Sequence, residues 1–460
     1  MMTAQWTAGR SSMEELVAEG FARQRAYRAE LAAVPTAQRR RCAERAVRTR
    51  ARRLRGENPG YARLYGEASP ASTQVPVLEK RHLAAWFDDF AAGTGVSRAE
   101  VAEFAGRPFR LGSRLDTYHL AFSSSGSSDE PLPVLHHVRD FGRSLEAFVA
   151  RGVRGARPDA ERLLYIGLID RHNGGNAWMY YLGGHLDVVL ADVFAAPESL
   201  LDVVLEHRPD VVLTRPHVLR ALAEAAAERG VALPAAHLLS VGEALQPEQR
   251  REITAGWGSP PHNSYSTVET GPIGYQEDAT VDELTVYDDL HLVELLDVGG
   301  MPVTEPGVPG RVVVSTLYRD VLPLIRYRVG DVASWRDAEL TRLSFPHGRD
   351  TTVLRLRCSG GTVELPELPL WSVVVPGVRQ YQVVQTGPES LLVRYEPSSA
   401  AAAATGTTLR DAVVSRLAAA GCDAGVGVTV ERVAALLPDR VSGKIKRVVP
   451  WRPAGHHRPL

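Results

Sequence analysis

The chain has 460 residues, of which 44% are hydrophobic and 23% charged, with a formal net charge of −1; this excludes a largely disordered polymer and provides material for two or more apolar cores. No apolar run reaches the length of a signal peptide's core or of a membrane span, so a cytoplasmic protein with no membrane partner is expected. Cys42, Cys358 and Cys422 are odd in number, widely spaced and without a C-x-x-C pair, so neither a disulfide framework nor a cysteine-based zinc site is expected.

Residues 12 to 105 are predicted to be mainly helical, broken by the turn signal Asn58-Pro59-Gly60 and by an extended Val75-Pro76-Val77. Residues 36 to 55 carry nine arginines against the single Glu44. Ala43, Val47, Ala51 and Leu54 recur there at helical spacing and form a buried side, which leaves the arginines as a solvated helix face. No aromatic residue interleaves with them to stack on bases, so no nucleic-acid partner is expected. The run Ser123 to Ser128 follows a predicted strand, and such a hydroxyl-rich turn with a glycine can wrap oxyanions with N–H and O–H donors.

The middle of the chain alternates strands and helices. Leu163 to Ile169 and Val211 to Thr214 read as buried strands, and Pro216 to Arg229 as a helix ended by Gly230. This βα alternation predicts an α/β fold with a mostly parallel sheet covered on both faces. The segment Asn263 to Pro272 offers an aromatic face in Tyr265, hydroxyls for phosphate and, in Glu269, a carboxylate that could hold Mg²⁺ against phosphate oxygens. From Leu290 onward the texture turns to strands and glycine-proline turns, a smaller β-rich subdomain that contains Pro323 to Asp331. Asp331 follows a glycine turn and is placed to accept from two ribose hydroxyls. After Gly348-Arg349-Asp350 comes an α+β tail with strands near 380–386, 391–395 and 426–432. Its helix is read with Thr408 as N-cap and Gly421 at its end, after a loop from Ser398 to Thr407.

Lysine usage points to one place in that tail. The chain holds three lysines against fifty arginines, and two of the three, Lys444 and Lys446, lie in Ser442-Gly443-Lys444-Ile445-Lys446-Arg447. Where a generic cation would do, arginine has replaced lysine; a compact ammonium on a thin stem suits a crowded phosphate site that a planar guanidinium does not.

Taken in order, these pieces resemble the adenylate-forming ligase superfamily, specifically its phenylacetate–CoA ligase branch with the related capsule-biosynthesis and acyl-protein synthetase proteins. The resemblance is carried by Asn58-Pro59-Gly60-Tyr61 with Val75 to Lys80, by Val241-Gly242-Glu243-Ala244, by the stretch from Glu294 through Pro323 to Asp331, by Gly348-Arg349-Asp350 and by Ser442-Gly443-Lys444. It implies an N-terminal core over 1–347 (helical entrance 1–105, α/β core 106–289, β-rich subdomain 290–347) and a small mobile domain over 348–460. It also implies a two-step reaction. A small, flat carboxylic acid, with aromatic acids among the candidates, attacks the α-phosphorus of ATP, and the thiol of coenzyme A, a carrier-protein thiol or an amine then displaces AMP.

Carried over residue by residue, Tyr265 with Gly242, Glu243 and Ala244 would contact adenine, and Asp331 and Arg349 the ribose. Ser124, Ser125, Gly126, Ser127 and Ser128, with Ser266 and Thr267, would hold the phosphates. Glu269 would hold magnesium, and Lys444 would bridge carboxylate and α-phosphate. His172, Asn173, Gly174, Trp178, Gly271 and Pro272 would face the acyl group. The cofactors implied are ATP and Mg²⁺, with coenzyme A as co-substrate, and a homodimer is compatible with the branch. The chain departs from the family where Asp129-Glu130 replaces a glycine and lysine in the phosphate loop, where Ser266 replaces a glycine, and where Val268 replaces a hydroxyl residue before Glu269. A member that binds without turnover is the alternative these departures leave open.

Overall fold

The computed structural model describes residues 2–4, 12–67, 75–123, 132–345, 348–350, 352–371, 373–398, 404–422 and 424–451. It is a mixed α/β structure built on several sheets. The largest has nine strands, in the order Met2–Ala4, Asp187–Asp192, Arg162–Gly167, Val211–Thr214, His237–Val241, His262–Thr267, Gly271–Tyr275, Glu283–Val286 and Arg342–Ser344. The five central strands from Asp187–Asp192 to His262–Thr267 run parallel, and the flanking pairs are antiparallel.

The apolar runs in these strands follow from burial on both faces. Leu163, Leu213 and Leu239 point into one core, while their neighbours Leu164, Val212 and Leu238 point into a second core under the helices Pro197–His207, Pro216–Arg229 and Pro247–Trp257. A strand buried on both sides cannot alternate polar with apolar, so it reads as a continuous hydrophobic run. The expected helix Pro216–Arg229 is present and ends on Gly230 at φ 67°.

A second, four-stranded sheet joins His291–Leu296, Pro309–Thr316, Tyr327–Ser334 and Gly348–Arg349. The extended segment after Val75 lies against it, with Leu78 N–H donating to Arg326 O and Arg328 N–H to Leu78 O. Beyond it, the four strands Gly427–Arg432, Ser390–Pro397, Val378–Gly387 and Val448–Val449 form one sheet and the hairpin Val353–Cys358 with Gly361–Pro366 another. Residues from Leu354 to Val448 have an apolar core of their own.

Four expectations change. Asn58-Pro59-Gly60 is not an open turn: helix Thr36–Glu57 stops at Asn58 and the next helix, Pro59–Glu67, begins at once, since proline fits a first helical position. The arginine stripe is not simply a solvated face. Arg39 pairs with Asp288 at 3.2 Å, Arg40 donates to Val293 O at 3.3 Å and Arg50 reaches Thr316 O and Asp320, so these three clamp the helix to the β-rich region. Thr408 is not an N-cap, because the helix spans Ala404–Ala419 and takes up the end of the expected loop. Cys358 and Cys422 form a disulfide, one that spacing alone could not reveal because the partners lie 64 residues apart. Among the described residues no helix is long and apolar enough to cross a membrane.

Candidate active site

The carboxyl ends of the parallel strands are where an open α/β sheet leaves a crevice. Here that crevice is a cavity of about 480 Å³. Strand Arg162–Gly167 contributes Tyr165 and Ile166, strand Val211–Thr214 contributes Leu213, and strand His237–Val241 contributes Val241 with Gly242 just beyond it. The six residues expected to face an acyl group, His172, Asn173, Gly174, Trp178, Gly271 and Pro272, all line this cavity.

Two of those six are already engaged. Asn173 caps helix Gly174–Leu182: its Oδ1 accepts from Asn176 N–H at 2.9 Å and its Nδ2 donates to Leu168 O at 2.8 Å. His172 packs tilted against Phe104 and edge-on to Phe109, with its Nε2 3.2 Å from Arg107 O. They shape the wall. The aromatic lining is Trp178 with Phe148 set perpendicular to it at 5.0 Å, and Phe122 beside His136 at 5.7 Å. Burial and the Arg319 guanidinium push His136 down to about 3, so its imidazole is neutral, and its Nε2 sits 2.9 Å from Val268 O.

Next to the cavity lies a polar cluster. Tyr265, on strand His262–Thr267, donates its hydroxyl to Asp331 Oδ2 at 2.7 Å, and Arg349 pairs with Asp331 Oδ1 at 3.3 Å. Asp331 and Arg349 are direct partners across two antiparallel strands. Burial pushes the Asp331 carboxyl up, against the Arg349 charge and the Tyr265 hydrogen bond. Glu269 sits in the turn between His262–Thr267 and Gly271–Tyr275, where its carboxylate accepts from Tyr327 and its main-chain oxygen accepts from Arg319 at 2.7 Å.

Sequence reasoning missed Lys80, although the scarcity of lysine was the signal that could have found it. It opens helix Lys80–Ala85, and the charges it feels are those of Glu269 and Arg349; burial lowers its pKa. The neighbouring Glu79 takes Arg328 Nη1 at 3.1 Å, and Arg328 Nη2 reaches Asp350 Oδ2 at 2.7 Å. One guanidinium thereby ties the residue before Lys80 to the residue after Arg349.

Lys444 enters the cavity from the other side. The loop that carries it is closed by Asp439, whose carboxylate accepts from Ser442 N–H at 2.7 Å and from Lys446 Nζ at 2.9 Å. Lys446 is thus consumed by its own loop, while Lys444 lines the cavity with its Cε 3.6 Å from where a Cβ on Gly242 would stand. The loop is seated by Arg171, which donates to Val441 O, by Arg215, which donates to Ser442 O, both at 2.8 Å, and by Glu243, whose Oε1 accepts from Ile445 N–H at 3.0 Å. Gly443 has φ +62°, and a Cβ there would meet Leu168, Arg215 and Val193 within 3.2 Å, so both backbone and space demand glycine. Burial, then Arg215 and Arg349, lower Lys444 to about 8, against the attraction of Glu243 and Asp331.

Glu243, which the resemblance sets on an adenine wall, commits its side chain to protein groups. Its side chain turns to His217 Nδ1 at 3.0 Å, to Arg215 and to the Lys444 loop. Burial works against its charge, but these partners outweigh burial and hold the carboxyl below its usual range. Gly242, Ser266 and Thr267 line the cavity, Thr267 with its hydroxyl on Thr270 at 2.9 Å; Ala244, half-buried, follows Glu243. The serine-rich segment Ser124, Ser125, Gly126, Ser127 and Ser128, with Asp129 and Glu130, lies outside the described residues.

Neither a family model nor a curated protein matches the sequence. Solved structures do. The chain is similar to a 2-hydroxyisobutyryl-CoA ligase in its postadenylation state, with a TM-score of 0.64 at 19% identity over 91% of each chain. Against the same ligase in its thioesterification state the TM-score is 0.55, again over 91% of each chain at 19% identity. The amide bond synthetase McbA from Marinactinospora thermotolerans gives 0.52 at 18% identity over 74% of this chain and 71% of that one. The chain has the fold of the adenylate-forming ligases. On that fold, the Tyr265, Asp331 and Arg349 cluster and Lys444 flank one crevice, with Glu269 and Lys80 at its border. Among the described residues no group of three or more His, Cys, Asp or Glu side chains gathers as a ready-made metal site. The single carboxylate of Glu269 suits a magnesium ion that keeps its other ligands from phosphate and water.

Proposed function

We propose that the chain activates an aromatic carboxylic acid with ATP as an acyl-adenylate and passes the acyl group to a nucleophile, with the thiol of coenzyme A as the first choice. The observation that carries this reading is the position of Lys444, a half-buried ammonium at the junction of an aromatic-walled cavity and the Tyr265, Asp331 and Arg349 cluster. The division at the Gly348-Arg349-Asp350 hinge, with a mobile domain beyond it, belongs to the same proposal, as does placement in the phenylacetate–CoA ligase-like branch.

In this reading the adenine lies against Tyr265, and the ribose hydroxyls give hydrogen bonds to Asp331, which Arg349 holds in place. The acid's ring enters between Trp178, Phe148 and Phe122, which leaves its carboxylate at the cavity mouth near Lys444. A carboxylate oxygen attacks the α-phosphorus, a new C–O–P link forms, and the bond to pyrophosphate breaks. Negative charge gathers on the α-phosphate oxygens at that moment, and Lys444 donates to them from a site shielded from water, where such an interaction is strongest. Lys80 and Arg349 add positive charge on the far side. Magnesium, when bound, would be held by Glu269 and would neutralise phosphate charge. The nucleophile then attacks the acyl carbon and AMP leaves.

A pyrophosphate-release assay over a panel of aromatic and aliphatic acids, with and without coenzyme A, tests the proposal. The expected result is release with an aromatic acid that disappears in Lys444→Ala, and an acyl-CoA product when coenzyme A is added. Absence of release with every acid, together with no ATP binding at millimolar nucleotide and excess magnesium, would overturn it. An amide formed in place of the thioester when amines are supplied would instead point to an amine acceptor.

A further inference from the structure

One polar group in the cavity has no use in the fold or in the adenylation chemistry. Tyr165, on the central strand Arg162–Gly167, packs its ring on the principal core and lines the cavity. Its hydroxyl lies where a Cβ on Gly167 would stand 2.2 Å from it and a Cβ on Gly175 2.4 Å from it. Two bare backbone positions, one at the end of the strand and one in helix Gly174–Leu182, therefore make room for this single oxygen.

No described residue hydrogen-bonds the Tyr165 hydroxyl. Several polar side chains of the cavity are committed elsewhere. Asn173 uses both polar atoms to cap its helix and Ser144 donates to Phe141 O at 2.8 Å, while His136 gives its Nε2 to Val268 O and keeps a buried Nδ1 without a partner. Burial holds the Tyr165 phenol above its ordinary range, so at neutral pH it is a hydroxyl that can give one hydrogen bond and accept another. The lining includes the apolar Leu213, Trp178 and Ile166, and the nearest charge it feels is that of Arg215, whose guanidinium is engaged with Ser442 O and Glu243. A plain ring seated here would strip water from this oxygen and give nothing back, the situation in which sites built to hydrogen-bond a substrate group discriminate most strongly.

We propose that Tyr165 reads a protic substituent, a hydroxyl or an amino group, on the ring of the acid, so that the substrate class is hydroxylated or aminated aromatic carboxylic acids. This rests on the reading of the cavity as the acyl site. Tyr165 acts on specificity: it sits in the cavity wall rather than with Lys444 at the mouth, and it takes no part in the bond changes at phosphorus.

The test uses the full chain and ring-matched benzoic acids carrying hydroxyl, amino or methyl at the same position. Binding is measured by calorimetry, and pyrophosphate release is measured in parallel, for wild type and Tyr165→Phe. At one ring position or more, the hydroxyl or amino acid should bind at least tenfold tighter than the methyl acid, and Tyr165→Phe should bring that ratio close to one. The hydroxyl and amino arms identify which donor is preferred. If no position shows the preference, or if Tyr165→Phe weakens methyl and protic acids in equal proportion, the proposal is overturned. Selective binding without pyrophosphate release would keep the recognition and remove the adenylation reading. Release without selectivity would do the reverse, and an absence of binding by every acid would overturn both.

Discussion

The two sides of the crevice are held in opposite ways. Asp331 and Arg349 face each other across paired strands, so backbone register sets their pairing, and Tyr265 reaches Asp331 from an interior strand of the large sheet through its hydroxyl. Lys444 depends on three contacts made by side chains, Arg171 and Arg215 to carbonyls of its loop and Glu243 to the amide of Ile445. Register cannot be undone without unfolding a sheet, whereas three side-chain contacts can be made and broken. On the proposed reading, the nucleotide side is preassembled and the Lys444 ammonium is the part that arrives.

The strongest way to break this contrast is to remove the arriving part. Lys444→Ala should slow acid-dependent pyrophosphate release by two orders of magnitude or more, about 3 kcal/mol in the barrier, with ATP affinity and melting temperature little changed. A mutant that adenylates at near-normal rate would end the role given to Lys444. Lys446 is a poor control, because its ion pair with Asp439 closes the loop; Lys446→Ala should slow the reaction more mildly by loosening the seat.

The fixed side answers differently. Asp331→Ala removes the acceptor shared by Tyr265 and Arg349, and should weaken ATP binding by about tenfold or more, measured by calorimetry. Because Asp331 also joins two strands through Arg349, a large fall in melting temperature with normal nucleotide affinity in the folded fraction would make it a structural turn residue instead.

Glu243 separates the two sides most sharply. As a residue of the adenine wall, its loss would weaken ATP binding. As the seat of the Lys444 loop, Glu243→Ala should slow pyrophosphate release by about tenfold while ATP affinity stays near that of wild type, since a missing hydrogen bond to a charged acceptor weakens closure and not the nucleotide pocket. Rapid-quench kinetics beside equilibrium ATP titration decides between these.

Much of this was legible in residue identity. The rare lysine at 444 and the Tyr265, Glu269, Asp331 and Arg349 set could be named from residue identity, and the structure gathers them around one crevice; the parallel strands announced themselves as doubly buried runs. What could not be read is what tertiary contact alone creates. Nothing in Val241-Gly242-Glu243-Ala244 says that the glutamate turns away to a loop 202 residues later. Nor does spacing reveal that Cys358 meets Cys422, or that Arg39, Arg40 and Arg50 trade solvent for carbonyls and carboxylates of the β-rich sheet. Lys80 was visible as one of three lysines, but its neighbour Glu269 lies far along the chain, and tertiary contacts such as the bridge from Leu78 to Tyr327 and the Glu79–Arg328 pair bring them together.

The smallest effect concerns protons on the arriving part. Lys444 is lowered from 10.5 to about 8, first by burial and then by Arg215 and Arg349. Bridging two anions requires the ammonium, so kcat/KM for adenylation, which reports the free enzyme, should fall as pH rises through about 8. A fall confined to pH above 10 would show that the side chain is solvated before substrate arrives. Stability carries the opposite sign. The folded state binds fewer protons at this lysine than the unfolded state between about 8 and 10.5, so this group favours folding progressively as pH rises through that window. Comparing wild type with Lys444→Met across pH 7 to 10 isolates the term: the wild type should gain stability on the mutant with rising pH. Parallel curves would mean that Lys444 meets no desolvation in the free protein, and that its loop seats only when nucleotide is bound.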